Sequence, residues 1–83
     1  PGSFKATDQF YIQVGAFSRK HYAEKMQKRF EKSGYDVEVL QVIGRKSTIY
    51  KVLVAAGTTR DKAVVTEQKI KNNGYNKAFV IAR

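Results

Sequence analysis

An α+β fold of order βαββαβ, a four-stranded antiparallel sheet with two helices on one face, is predicted by three observations. The two halves of the 83-residue chain repeat each other at an offset of 40: Val14 falls on Val54, Ala16 on Ala56, Ala23 on Ala63, Gly34 on Gly74 and Tyr35 on Tyr75. In each half a run rich in β-branched and aromatic residues precedes a stretch whose apolar residues recur at spacings of three and four. Each such stretch is closed by a glycine and followed by another apolar run. A fixed period marks one supersecondary unit used twice, each copy burying its apolar face against the other.

The first unit opens with Phe10-Tyr11-Ile12-Gln13-Val14, which reads as a strand giving way to a turn at Gly15-Ala16-Phe17-Ser18. Ser18 is the candidate N-cap of a first helix. Ala23, Met26 and Phe30 share one face of that helix, which Gly34 should end in a left-handed conformation. Val37, Val39 and Leu40 supply a second strand. The polar segment from Gln41 to Thr48 reads as the loop between the units. In the second unit Ile49-Tyr50-Lys51-Val52-Leu53-Val54 is the strand, and Thr58 or Thr59 is the cap. Asp61 stands in the first turn of the second helix, where a negative charge suits the helix dipole. Ala63, Thr66 and Ile70 repeat the core face, Gly74 is the stop, and Ala78-Phe79-Val80-Ile81 is the last strand. The order is the ferredoxin-like or RNP-like split βαβ arrangement, which leaves one sheet face without helices.

Composition narrows the function. At 83 residues there is room for one domain with one core and none for a separate catalytic domain. A hydrophobic content of 42% with a single proline argues for a packed chain despite a net charge of +9. The absence of cysteine removes disulfides and thiolate metal sites and leaves the compartment open. No apolar run approaches the roughly 20 residues needed to span a bilayer. A basic chain attracts anionic partners in general, but Arg19, Lys20, Lys25, Lys28, Arg29, Lys32, Lys62, Lys69 and Lys71 fall in the predicted helices, where charge ordinarily decorates a solvated face.

Alternation assigns the sheet faces. With Phe10, Ile12 and Val14 toward the helices, Tyr11 and Gln13 point away. By the repeat, Tyr50, Val52 and Val54 face the core, and Ile49, Lys51 and Leu53 face outward. The polar members Gln13 and Lys51 fall on the same side, which supports the register. Phe79 and Ile81 are placed on the outer face because Ala78 and Val80 suit the crowded helix side.

The run Phe10-Tyr11-Ile12-Gln13-Val14-Gly15-Ala16-Phe17-Ser18, followed by Ala23, the Gly34-Tyr35 stop and Tyr50-Lys51-Val52, resembles the SPOR domain (sporulation-related repeat). The resemblance covers residues 9–82; residues 1–8 read as an N-terminal linker or cloning remnant. It implies a βαββαβ module that binds peptidoglycan glycan strands on its open sheet face, preferentially strands denuded of stem peptides, and so targets septal or sporulation proteins to the wall. Carried over residue by residue, it falls on Gln13, on Lys51 where the family commonly has arginine, and on Ile49 two residues earlier. Lysine there loses the bidentate fork of arginine. Ala55-Ala56-Gly57 stands where the family usually has Gly-Pro-Phe, a departure that bears on the second turn. A domain of a larger exported or membrane-anchored protein of the bacterial cell envelope is implied, and a monomer is expected for the isolated module.

The chemistry of the residues is compatible with that implication. Tyr11, Ile49, Leu53 and Phe79 could stack on the apolar faces of sugar rings, Gln13 offers donor and acceptor to acetamido or hydroxyl groups, and Lys51 could meet a carboxylate. Catalysis is not expected. Ser18 reads as a cap, the single His21 as a surface residue, and no nucleophile, base and orienting acid are available together. No cofactor or metal is expected, and Tyr35 and Tyr75 read as packing anchors. The rival reading is RNA or single-stranded nucleic-acid binding on the same sheet face. Against it, Ile49-Tyr50-Lys51-Val52-Leu53-Val54 holds one aromatic, and alternation turns it inward. Nucleic acid is therefore not the expected partner.

Overall fold

Six elements follow in the order β1 (Phe10–Phe17), α1 (Lys20–Lys32), β2 (Val37–Ile43), β3 (Thr48–Ala55), α2 (Arg60–Asn72) and β4 (Phe79–Ala82). They come from a computed structural model that describes residues 10–82, so the linker expected at residues 1–8 lies outside the described residues. The strands form one antiparallel sheet of order β2-β3-β1-β4. This is the arrangement predicted from the repeat. Each unit's two strands are separated by a strand of the other unit: β3 lies between β1 and β2, and β1 between β3 and β4.

Both helices pack on one side of the sheet, α1 against β1, β2 and β3 and α2 against β1 and β4. The core between the layers holds Ile12, Val52 and Val54 from the central strands, Val37 from β2, Ala23 and Phe30 from α1, and Ala63 and Ile70 from α2. Burying each large aliphatic side chain contributes about 1.5 to 3 kcal/mol. Ala23 and Ala63, both fully buried, occupy equivalent positions on the core faces of the two helices. Met26, Tyr35, Tyr50 and Tyr75 are partly buried against this core, which bears out the anchor role of the two tyrosines after the helices.

Both helices end the same way. Gly34 (φ +96°) and Gly74 (φ +105°) take the left-handed conformation, in which a Cβ would be strained. The amide of Gly34 donates to the Glu31 carbonyl and that of Tyr35 to the Phe30 carbonyl, with Gly74 to Lys71 and Tyr75 to Ile70 as the matching pair. This paired hydrogen-bond pattern satisfies the last carbonyls of each helix and brings both tyrosine rings to Phe30 of α1. The Phe30 ring lies 5.9 Å from that of Tyr35 and 4.9 Å from that of Tyr75.

The helix starts differ. Thr59 caps α2, its hydroxyl accepting from the Lys62 amide at 3.3 Å, and Asp61 follows in the first turn. Ser18 does not cap α1. The cap position is Arg19, which has extended backbone and no side-chain cap bond. The reason is the length of β1, which continues past Val14 through an irregularity between Gln13 and Gly15 to Phe17, opposite Tyr50. The helix therefore begins one residue later than the serine suggests.

Two further expectations are corrected. Half of the predicted loop from Gln41 to Thr48 is strand. Val42 pairs with Ile49 and Ile43 with Thr48, leaving a turn at residues 44–47 that is closed by the Gly44 amide on the Ser47 carbonyl at 2.8 Å. Its residues are exposed, so apolar patterning carries little signal there, yet backbone pairing needs no buried side chain. The last strand begins at Phe79 rather than Ala78. Where the second turn lacks the family's Gly-Pro-Phe, Phe10 exchanges backbone bonds with Ala56 and Gly57 at 2.9 and 3.0 Å, so the segment is tied to β1.

Candidate functional site

The register arranges the outer sheet face in rows. Glu38 pairs with Leu53, Leu53 with Gln13, and Gln13 with Phe79, giving one row across all four strands. At the usual strand spacing this row spans roughly 14 Å. Next to it, Leu40, Lys51 and Ala16 form a second row, and Val42 with Ile49 a third. On the other side of the first row, Ala55, Tyr11 and Ile81 are aligned. Tyr11, Gln13, Ile49, Lys51, Leu53 and Phe79 thus share one face, opposite the helices.

The irregularity in β1 builds this face. Val14 is the extra residue: Gln13 lies opposite Leu53, and Gly15 opposite Val52. Such a bulge shifts the alternation by one, so Ala16 falls on the outer face beside Lys51 and Phe17 on the helix side. Gly15 suits the position because a Cβ there would lie 2.8 Å from the Met26 sulfur and 2.9 Å from the Phe17 ring.

The exposure of the six residues is uneven. Phe79 is 46% exposed at the β4 edge, while Gln13, Ile49 and Lys51 are half-buried. Tyr11 and Leu53 are buried, at 4% and 0% exposure. Both stand on the two central strands, with cross-strand neighbours on either side. The apolar surface that remains accessible comes from Phe79, Ile49, Leu40, Val42 and Ile81. Leu40 and Glu38 were missed as members of the face. The alternation of Val37 and Val39 toward the core carries the signal that would have found them.

The polar groups on this face are few. Gln13 makes no side-chain hydrogen bond among the described residues, so a half-buried amide at the centre of the face keeps its donors and acceptor unspent. Lys51 has apolar residues directly opposite on both neighbouring strands, Leu40 and Ala16, with Glu38 diagonal to it on β2. A carboxylate placed over Lys51 would make a charge-assisted contact with its ammonium. Among the described residues no three His, Asp or Glu side chains are placed to hold a metal. His21 is exposed on α1, its ring 4.1 Å from that of Tyr22.

The architecture is shared with known structures. The solution structure of the peptidoglycan binding domain of the B. subtilis cell wall lytic enzyme CwlC is 30% identical, with 95% of each chain covered and a TM-score of 0.70. The crystal structure of the RlpA SPOR domain from Pseudomonas aeruginosa aligns over 87% of this chain and 96% of that one with a TM-score of 0.75; at 19% identity it shows the fold alone. No curated protein sequence matches the chain. The SPOR domain family model matches residues 6–82. With the split βαβ order, the doubled helix stop and the Gln13 strand already in place, that match makes the chain a member of the SPOR domain family.

Proposed function

We propose that this domain is a non-catalytic peptidoglycan-binding module that takes glycan strands on the outer sheet face, favours strands stripped of stem peptides, and thereby carries a parent protein to the cell wall or division septum. The observation that carries the reading is the unspent Gln13 amide at the centre of a face whose nearest cation, Lys51, is bordered by aliphatic residues. Phe79 and Ile49 offer apolar surface for sugar rings, Gln13 hydrogen-bonds acetamido or hydroxyl groups, and Lys51 meets the lactyl carboxylate of N-acetylmuramic acid. Tyr11 and Leu53 serve beneath them as the packed floor. In intact wall that carboxylate is tied up in an amide, so removing the peptide creates the charge that Lys51 reads. A partly desolvated pair of this kind is worth about 1 to 3 kcal/mol.

The test is co-sedimentation of the isolated domain with purified sacculi. Wild type should pellet. Gln13→Ala and Lys51→Glu should each lose most of the pelleted fraction while far-UV circular dichroism stays unchanged. Retention of full binding by both variants would remove this face from the account.

A further inference from the structure

The outer surface of α1 carries a feature that the sheet face does not use. Lys25, Lys28, Arg29 and Lys32 stand at positions i, i+3, i+4 and i+7, one stripe of the helix, and together line a depression of about 330 Å³. All four are exposed. The stripe extends about 10 Å along the axis, with neighbouring charges roughly 5 to 6 Å apart.

Three observations set it apart from ordinary surface charge. Like charges at this spacing destabilise a helix unless something offsets them. Glu24 and Glu31 flank Lys28 at four and three residues, but no acid of the helix stands three or four residues from Lys25, Arg29 or Lys32. The helix dipole accounts for Arg29 and Lys32 in the last turn but not for Lys25 and Lys28 in the middle. The repeat supplies the internal control: the equivalent positions of α2, displaced by 40, are Val65, Gln68, Lys69 and Asn72, with one cation among them. The copies keep their core positions and differ on this surface.

Arg29 also links the stripe to a second depression of about 470 Å³, lined by Phe30, Ser33, Tyr35, Asn73 and Tyr75 at the C-terminal ends of both helices. Its guanidinium donates to the Tyr75 hydroxyl at 3.3 Å, which turns it toward that depression, and this hydrogen bond raises its pKa further. We infer that the outer surface of α1 is a second binding site, for a linear polyanion of repeating phosphates, on the opposite side of the domain from the sheet face. Charge complementarity selects the ligand, and a base-bearing polymer is disfavoured because the tyrosine rings at the C-terminal end of the stripe are packed on Phe30, and the half-exposed Tyr22 at its N-terminal end has its ring against His21, 4.1 Å away.

Titration of the isolated domain with short linear inorganic polyphosphate at physiological salt tests this. Polyphosphate should bind at least about tenfold more tightly than orthophosphate at equal phosphate concentration, with backbone amide shifts confined to α1 and the Tyr75 segment. Replacing Lys25, Lys28 and Lys32 by Gln should weaken binding about tenfold or more and reduce the slope of log K against log salt by roughly 2 to 3. Lys28→Glu alone, a single exposed change, should also weaken it. Gln at Lys46, Lys62 and Lys77 should leave it within about twofold, because those lysines lie off the stripe. Equal losses in the two triple variants would reduce the effect to net charge and overturn the inference. Tighter binding of single-stranded RNA of matched charge would overturn it equally. Sacculus binding by the stripe variants and polyphosphate binding by Gln13→Ala report the two faces separately, so either reading can fail alone.

Discussion

Gln13 and Gly15 show how a single strand serves two purposes. Gln13 turns outward to the proposed ligand, while two positions on, Gly15 makes space for Phe17 and Met26 beneath α1. Gly15→Ala puts a Cβ against a methionine sulfur that can move and a phenylalanine ring that is held. Urea denaturation should therefore show a loss of about 1 kcal/mol, and Gly15→Val a loss of about 3 kcal/mol. The facing of the sheet residues was legible where alternation runs undisturbed: Tyr11, Gln13, Ile49, Lys51, Leu53 and Phe79 all fall on the face assigned to them. It was not legible where the bulge shifts the phase, which hid Ala16. Nor did alternation, which reports direction and not depth, reveal that Tyr11 and Leu53 are buried.

The two helices offer a matched comparison at the scale of elements. They have equal lengths, equivalent buried alanines and the same glycine stop, but α2 begins with a threonine cap and Asp61 whereas α1 begins with Arg19 and no acid in its first turn. Thr59→Ala should cost about 1 kcal/mol in thermal or urea unfolding. Arg19→Asp should stabilise by about 1 kcal/mol, since it adds a cap acceptor and replaces an unfavourable positive charge at the dipole's positive end. Ser18→Ala should change stability by less than about 0.5 kcal/mol, because Ser18 is exposed and is not the cap. The helix ends were readable because glycine has a nearly unique conformational role. The start of α1 was misread because a serine in the right neighbourhood is indistinguishable from a cap until the strand before it is known to run on. The β2–β3 hairpin was read too short for a related reason: its tip projects where side chains are solvated, and polar sequence there looks like loop.

At the scale of the whole molecule, the interleaved strand order ties the copies together. Neither half contains two neighbouring strands, since β1 and β2 are separated by β3, and β3 and β4 by β1. Peptides covering residues 10–43 and 48–82 should therefore be disordered alone by far-UV circular dichroism and regain the native spectrum on mixing, while the intact chain unfolds in one transition. Duplication made the scaffold, and the differences between copies made the surfaces. By the repeat Gln13 answers to Leu53 and Tyr11 to Lys51, so the outer face is asymmetric although the core is not. The proposed recognition depends on that asymmetry, and above all on Lys51 distinguishing a free lactyl carboxylate from an amide. The most direct measurement is co-sedimentation of wild type and Lys51→Gln with the same sacculi before and after amidase digestion. Wild type should bind digested wall about 5- to 150-fold more tightly and Lys51→Gln should bind both nearly equally. A wild type that binds both walls alike, or a Lys51→Gln variant that keeps the full preference, would contradict the account.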